Sequence, residues 1–196
     1  MRSSESNNTF DSSVVEAQLR RMPRSPWRVG ARCVHGHPTV IVSPSVLEDG
    51  ARFPNWGYLT CPFLCSVISD LESQGAVKEW AARLENEQRL AENQYALEEI
   101  LKNKRLQESQ RCGQKADVCA EVGIAGQRNT LGVKCLHIHV AYALLGLNDA
   151  IGREILRDLT DASGGGCSCR DAYEFACGKA VEELYAQGDD EGCVHA

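Results

Sequence analysis

The stretch from Val77 to Gln110 constrains this chain most, because it carries Glu, Lys and Arg throughout and spaces Trp80, Leu84, Leu90, Leu97 and Leu101 as an apolar stripe. Such a segment buries one side and leaves the other in water, so it predicts a long charged helix and a mostly helical protein built around it. Its charged face, laced with i,i+4 pairs, reads as a solvated surface. The alternative is a docking surface for another helix, a second copy included.

The flanking sequence supplies shorter elements. Residues 1–11 are polar and read as disordered, and Ser13-Val14-Val15-Glu16 has capping-box spacing that opens a short helix running into Met22 and stopping before Pro23. Trp27 to Val34 and Thr39 to Ser43 are rich in β-branched residues and flank the turn-forming His35-Gly36-His37-Pro38, which predicts a β-hairpin with Cys33 at the end of its first strand. Tyr58-Leu59-Thr60 reads as buried. Pro62 suits the first position of a helix with Cys61 at its N-cap, Leu64, Ile68 and Leu71 on one face, and Gly75 as a left-handed terminator. Residues 111–131 hold Gly113, Gly123 and Gly126 without a clear period and predict a mobile loop. Gly132 to Leu145 is a strongly apolar helix and Asp149 to Leu159 a shorter one. Beyond a Gly164-Gly165-Gly166 hinge an amphipathic helix runs from about Arg170 to Gln187.

The expected class is therefore α+β, mainly α-helical with a small β-hairpin packed near helix termini. At 196 residues the chain fits one domain with extensions: residues 1–26 as a polar extension with a short helix, 27–160 as the core, and 161–196 as a glycine-hinged, cysteine-rich helix and tail. A formal charge of −6 argues against a broad grip on nucleic acid or an anionic membrane. No apolar run approaches the roughly 18–20 residues of a membrane span, and the polar N-terminus is not a secretory signal, so the expectation is cytoplasmic. In a reducing cytosol the ten cysteines read as free thiols, metal ligands or small buried hydrophobes rather than disulfides.

Three of those cysteines, Cys33, Cys61 and Cys135, each stand where a turn or strand meets a helix. At a helix N-cap the Cys61 sulfur would face unpaired N–H groups and the positive end of the dipole, both favouring thiolate. Cys135, His137 and His139 form Cys-x-His-x-His. On a helix Cys135 and His139 share a face, and His137 joins if the first turn frays. Together with Cys33 and Cys61 they make a soft donor set that suits zinc, with an iron–sulfur cluster as the alternative. A closed set of four implies a structural centre in a protein that binds or regulates, with a protein partner of unknown kind among the expectations. Cys65, at i,i+4 from Cys61, is a substitute for Cys33. A rival reading makes Cys61 a nucleophile, with His137 or His139 as base and Lys134 or Arg128 orienting an anionic substrate. Another is a helical interaction module without metal.

Gly123 and Gly126, followed by Arg128 and Lys134, form a candidate anion-binding loop, since glycine lets backbone N–H groups approach an anion that the two cations neutralise. Cys167, Cys169, Cys177, Cys193 and His195 offer a second metal site or free thiols in a tail, and Cys112 and Cys119 flank a polar turn.

The ordered motifs Cys33-Val34-His35-Gly36-His37-Pro38, Asp49-Gly50 with Phe53-Pro54, Tyr58-Leu59-Thr60-Cys61-Pro62, Leu71-Glu72 with Gly75, and Val133-Lys134-Cys135-Leu136-His137 resemble a bacterial family known as domain of unknown function 501, over roughly residues 27 to 158. The resemblance implies no reaction. It places Cys33, Cys61, Cys135 and His137 on the family's motif positions and leaves Cys65 and the cysteines from Cys167 onward peculiar to this chain, which favours Cys33 over Cys65 as a ligand. The family's genes often stand near those for a septum-formation initiator and an exopolyphosphatase. This implies a link to cell-envelope or polyphosphate physiology.

Overall fold

β-branched residues at Thr39, Val40, Ile41 and Val42 build the centre of a three-stranded antiparallel sheet, in the order β1 (Arg28–Arg32), β2 (Pro38–Val42), β3 (Gly57–Leu59). The computed structural model describes residues 9–162 except 25, 34, 48, 49, 115–118 and 120. The expected hairpin is present, with Val29 opposite Ile41. The buried segment at Tyr58 adds a third strand, with Ile41 opposite Tyr58 and Val40 opposite Leu59.

Every residue of β2 is buried, so both faces of the sheet are covered there. Because side chains alternate along a strand, Val40, Val42 and Leu59 share one face. They pack against α5 (Leu136–Leu144): Val40 and Leu59 join a cluster with Leu136, Val140 and Ala141, and Val42 joins another with Ile138 and Tyr142. Gly57 permits this approach, since a Cβ there would meet the Leu145 side chain at 2.7 Å. The opposite face receives α1 (Thr9–Leu19), held by Gln18 Nε2 donating to the Pro38 carbonyl at 2.9 Å and by Arg32 forking onto Asp11 at 2.7 Å.

α1 departs from expectation at both ends. Ser13 lies inside the helix, its hydroxyl donating back to the Thr9 carbonyl at 3.1 Å, so the helix already runs from Thr9 and the disorder expected to residue 11 is corrected there. It ends at Leu19 rather than Met22, where Arg20 adopts a left-handed φ of 54°.

Cys61 is the N-cap of α2 (Pro62–Ser73) with proline at its first position, and Gly75, at φ 100°, ends that helix and starts α3 (Ala76–Asn86). The single helix expected over Val77 to Gln110 is two helices, α3 and α4 (Gln88–Arg111), broken at Glu87 with φ −108° and ψ 97°. The break lets Trp80, Leu84 and Leu90 join the cluster of Leu64 and Ile68, while Leu97 and Leu101 join that of Val42 and Trp56. Arg83 closes the corner by pairing with Glu87 at 2.7 Å and with Glu154 at 2.6 Å.

One part of the supposedly solvated face of α4 is buried. Arg105 is 1% exposed and donates to the carbonyls of Cys119 and Val122 at 3.2 Å each, and Glu108 accepts from Arg28 at 2.9 Å. These bonds pin the described part of the segment expected to be a mobile loop, where Cys119 and Ile124 are buried. α5 starts at Leu136 rather than Gly132. α6 (Ala150–Ala162) follows with Asp149 accepting the Gly152 N–H at 2.9 Å. Residues 163–196, with the expected hinge, the helix from Arg170 and the cysteines from Cys167 onward, lie outside the described residues. No described helix is long and apolar enough to cross a membrane.

Gly152 packs against the His139 backbone carbonyl so closely that a Cβ there would overlap it. Helix propensity alone would make Gly152→Ala stabilising by about 1 kcal/mol. The α5–α6 contact reverses the sign, and the expected outcome in urea unfolding is a loss of about 1–3 kcal/mol. A variant as stable as the parent would show that the two helices do not meet this closely.

Candidate metal centre

Cys135 precedes α5 with an extended backbone, φ −159° and ψ 128°, so its side chain is not carried on the helix. From there Sγ lies 3.4 Å from Nδ1 of His137, in the first turn. The backbone N–H of Leu136 donates to Oε1 of Glu72, which reaches across from the last turn of α2. A carboxylate from a distant segment thus caps α5, favoured by the unpaired N–H groups and the positive end of the helix dipole. The same Oε1 is 3.2 Å from His137 Nδ1.

The second imidazole nitrogen fixes the tautomer. Nε2 of His137 lies 3.1 Å from the Cys65 carbonyl oxygen, which can only accept, so Nε2 carries a hydrogen. In the neutral ring the Nδ1 lone pair then faces the sulfur of Cys135 and the carboxylate of Glu72. One donor atom from each of Glu72, Cys135 and His137 lies within 4.8 Å of the other two. Zinc bonds of roughly 2.3 Å to sulfur and 2.0–2.2 Å to nitrogen or oxygen, set at tetrahedral angles, put S and N about 3.5 Å apart and N and O about 3.4 Å apart. The spacings of 3.4 and 3.2 Å are close to both.

The hydrogen bond with Cys135 pushes the His137 pKa up to about 9, against the opposing effect of burial and with help from the charges of Cys135 and Glu72. Burial pushes the Cys65 thiol up to about 12, with the neighbouring Cys61 and Cys135 adding to the shift. Cys65 and the centre share a cavity of about 380 Å³, walled by Asn55, Gly57, Tyr58, Leu59 and Ile138.

Of the residues singled out in the sequence, Cys135 and His137 come together. Among the described residues no three-donor group includes Cys33, Cys61 or His139. Cys33 sits in the β1–β2 turn, where its N–H donates to the His37 carbonyl at 2.9 Å. Cys61 is 1% exposed and packs in the main core cluster with Val40, Leu64 and Leu136. His139 is fully buried, with Nδ1 2.8 Å from Asp149 Oδ2, and serves the start of α6. Cys135 and His139 do not share a helix face, because the helix begins only after Cys135. Glu72 was not among the candidate donors, although its place in the Leu71-Glu72 motif was the available signal.

The glycine loop takes an anion of the chain's own. Ile124 N–H donates to Oε1 of the buried Glu98 at 3.3 Å, and Gly123 leaves the space that this carboxylate occupies. Gly126 N–H donates to the Gly123 carbonyl at 3.0 Å, and Lys134 Nζ to the Ala125 carbonyl at 3.3 Å. Arg128 lines a separate cavity with Arg52 and Pro54.

A family model described as a protein of unknown function, DUF501, matches residues 29–157. No curated protein and no solved structure matches the chain.

The raised His137 pKa has a defined effect on the metal-free protein. Folding favours the protonated ring, so its contribution is full below the ordinary value of 6.5 and is lost as pH rises through about 9. The urea midpoint of the metal-free protein is expected to fall between pH 6 and about pH 9.5, and His137→Gln to flatten that slope. Equal slopes for parent and variant would show that the ring is not held by these partners.

Proposed function

We propose, for a chain that belongs to the DUF501 family, that Glu72, Cys135 and His137 bind a divalent transition-metal ion, zinc by preference, through a carboxylate oxygen, a thiolate and an imidazole nitrogen. The observation that carries this reading is the bond from His137 Nε2 to the Cys65 carbonyl. It holds the ring by its outer nitrogen, as metal-ligating histidines are commonly held, and aims the inner one at the other two donors. A mixed sulfur, nitrogen and oxygen set suits zinc better than magnesium or calcium, which take oxygen.

Three protein donors leave a fourth position. When bound, the ion would supply Lewis acidity to whatever occupies that position. The chain's own residues do the rest: Glu72 joins the centre to the α5 cap, Cys65 and Ser69 orient the imidazole, and the apolar wall of Tyr58, Leu59 and Ile138 limits water. The cavity also holds the Cys65 thiol, which lies outside the three-donor group and donates to the Leu59 carbonyl at 3.7 Å, so its side chain would have to turn to close the coordination sphere and make the centre structural.

Metal analysis and zinc titration of the full chain test the reading. One equivalent per chain is expected, with Cys135→Ser and Glu72→Gln each weakening affinity by about 100-fold or more. Cys33→Ser should leave it unchanged. Cys65→Ser separates the two forms of the centre: unchanged affinity means three protein ligands, and a large loss means four. Folded protein that neither carries nor takes up metal would end the proposal.

The 3.4 Å spacing of Cys135 and His137 favours one second reading, an activated thiol. This role falls to Cys135 rather than to Cys61, which lies in the core. Selective alkylation of Cys135 in stripped protein, lost in His137→Gln, is the expected sign. Protection by zinc would tie both readings to the same atoms.

A further inference from the structure

α1 spans only part of the second face of the sheet. α1 lies over the Pro38 end of β2 and stops at Leu19, where Arg20 turns left-handed, while Ile41, Ser43 and Tyr58 continue beyond it. A cavity of about 270 Å³ opens there, away from the side of the sheet that meets α5. Leu19, Ile41, Leu47 and Tyr58 give it an apolar floor, and the Phe53 ring stands 6.3 Å from that of Tyr58, tilted by 39°.

Three guanidinium groups, Arg21, Arg24 and Arg52, also line it, and no described lining residue is acidic. Arg52 is placed there by the bridge of its strand-like backbone with Val46 and makes no side-chain hydrogen bond or ion pair among the described residues. Arg21 and Arg52 place two cationic forks beside the apolar floor, where an anion can meet them. The planar fork of arginine matches carboxylate and phosphate oxygens.

We infer that this cavity binds a small aromatic anion, its ring against Ile41, Phe53 and Tyr58 and its phosphate or carboxylate beside Arg21 and Arg52. The volume lies at the low end for ligand pockets, which favours a single ring over a dinucleotide. Both parts of the ligand are required. The apolar floor alone would accept a neutral ring, and the arginines alone would accept inorganic phosphate.

Calorimetric titration of the full chain with phenyl phosphate and with benzoate tests this, with inorganic phosphate and benzyl alcohol as half-ligands. At least one of the two complete ligands is expected to saturate at one per chain, with each half-ligand at least tenfold weaker. A charged hydrogen bond is worth about 1.5–3 kcal/mol, so Arg52→Gln should weaken the complete ligand about tenfold or more. Arg52→Lys should recover part of that, and Phe53→Ala should also weaken binding. Arg89→Gln, in a different groove, should change nothing. The inference is overturned if neither complete ligand saturates, if inorganic phosphate binds as tightly, or if Arg89→Gln matters as much as Arg52→Gln. Circular dichroism on each variant separates loss of binding from loss of fold. None of these outcomes bears on the metal centre.

Discussion

The contact between Glu72 and the first turn of α5 is the constraint on which the arrangement depends. α5 is the helix against which β2, β3, α2 and α6 all pack, so the position of its N-terminus sets the position of nearly everything else in the core. A helix start leaves backbone N–H groups without partners, and burying them uncompensated costs free energy comparable to lost hydrogen bonds. Here the acceptor comes from α2 rather than from the residue just before the helix. Cys135, the N-cap, makes no side-chain cap bond and leaves its sulfur to face His137. The carboxylate that ties α2 to α5 therefore also brings three donor atoms together.

A second set of buried charges fixes the other side of the core. Arg105 holds the carbonyls of Cys119 and Val122, Glu98 holds the Ile124 N–H, and Glu108 is paired with Arg28 and Arg111. All three sit on α4. Apart from Arg111, which is on α4 itself, these partners lie in the segment after it and on β1, so the helix orders chain with little apolar surface of its own. Ion pairs of this kind contribute little net stability over well-packed apolar residues, but losing one partner leaves a buried charge, which is severe. They specify where the segment lies more than how firmly the domain is folded.

What the sequence disclosed follows from how local each signal is. Cys61-Pro62 and Gly75 bound a helix through backbone preferences of one or two residues, and the structure places both as expected. The strands around His35-Gly36-His37-Pro38 were legible for the same reason. The break at Glu87 had a weaker signal: the step from Leu84 to Leu90 falls out of the helical phase kept on either side, without a glycine or proline to mark it. Arg105 and Glu98 looked like solvated surface because their partners are distant carbonyl and amide groups that composition does not show. Two of the three donors of the candidate centre, Cys135 and His137, stood out in the short Cys-x-His spacing. The third was hidden, because the cap of α5 comes from a carboxylate 64 positions away.

The two roles of Glu72 are compatible because a carboxylate has about four lone-pair sites. One can accept the Leu136 N–H while another faces His137 and an ion. Charge is the harder condition, since a dication at the positive end of a helix dipole is unfavourable by itself. In the proposed complex a thiolate from Cys135 and a carboxylate from Glu72 would cancel it, leaving a neutral centre with a neutral imidazole. Without an ion the same two groups hold a proton on His137 to about pH 9, because the imidazolium meets the negative charge that the dication would otherwise meet. On the proposed reading, proton and metal would therefore compete for one nitrogen. Raising the pH removes the proton that stabilises the stripped centre and frees the lone pair that an ion would take.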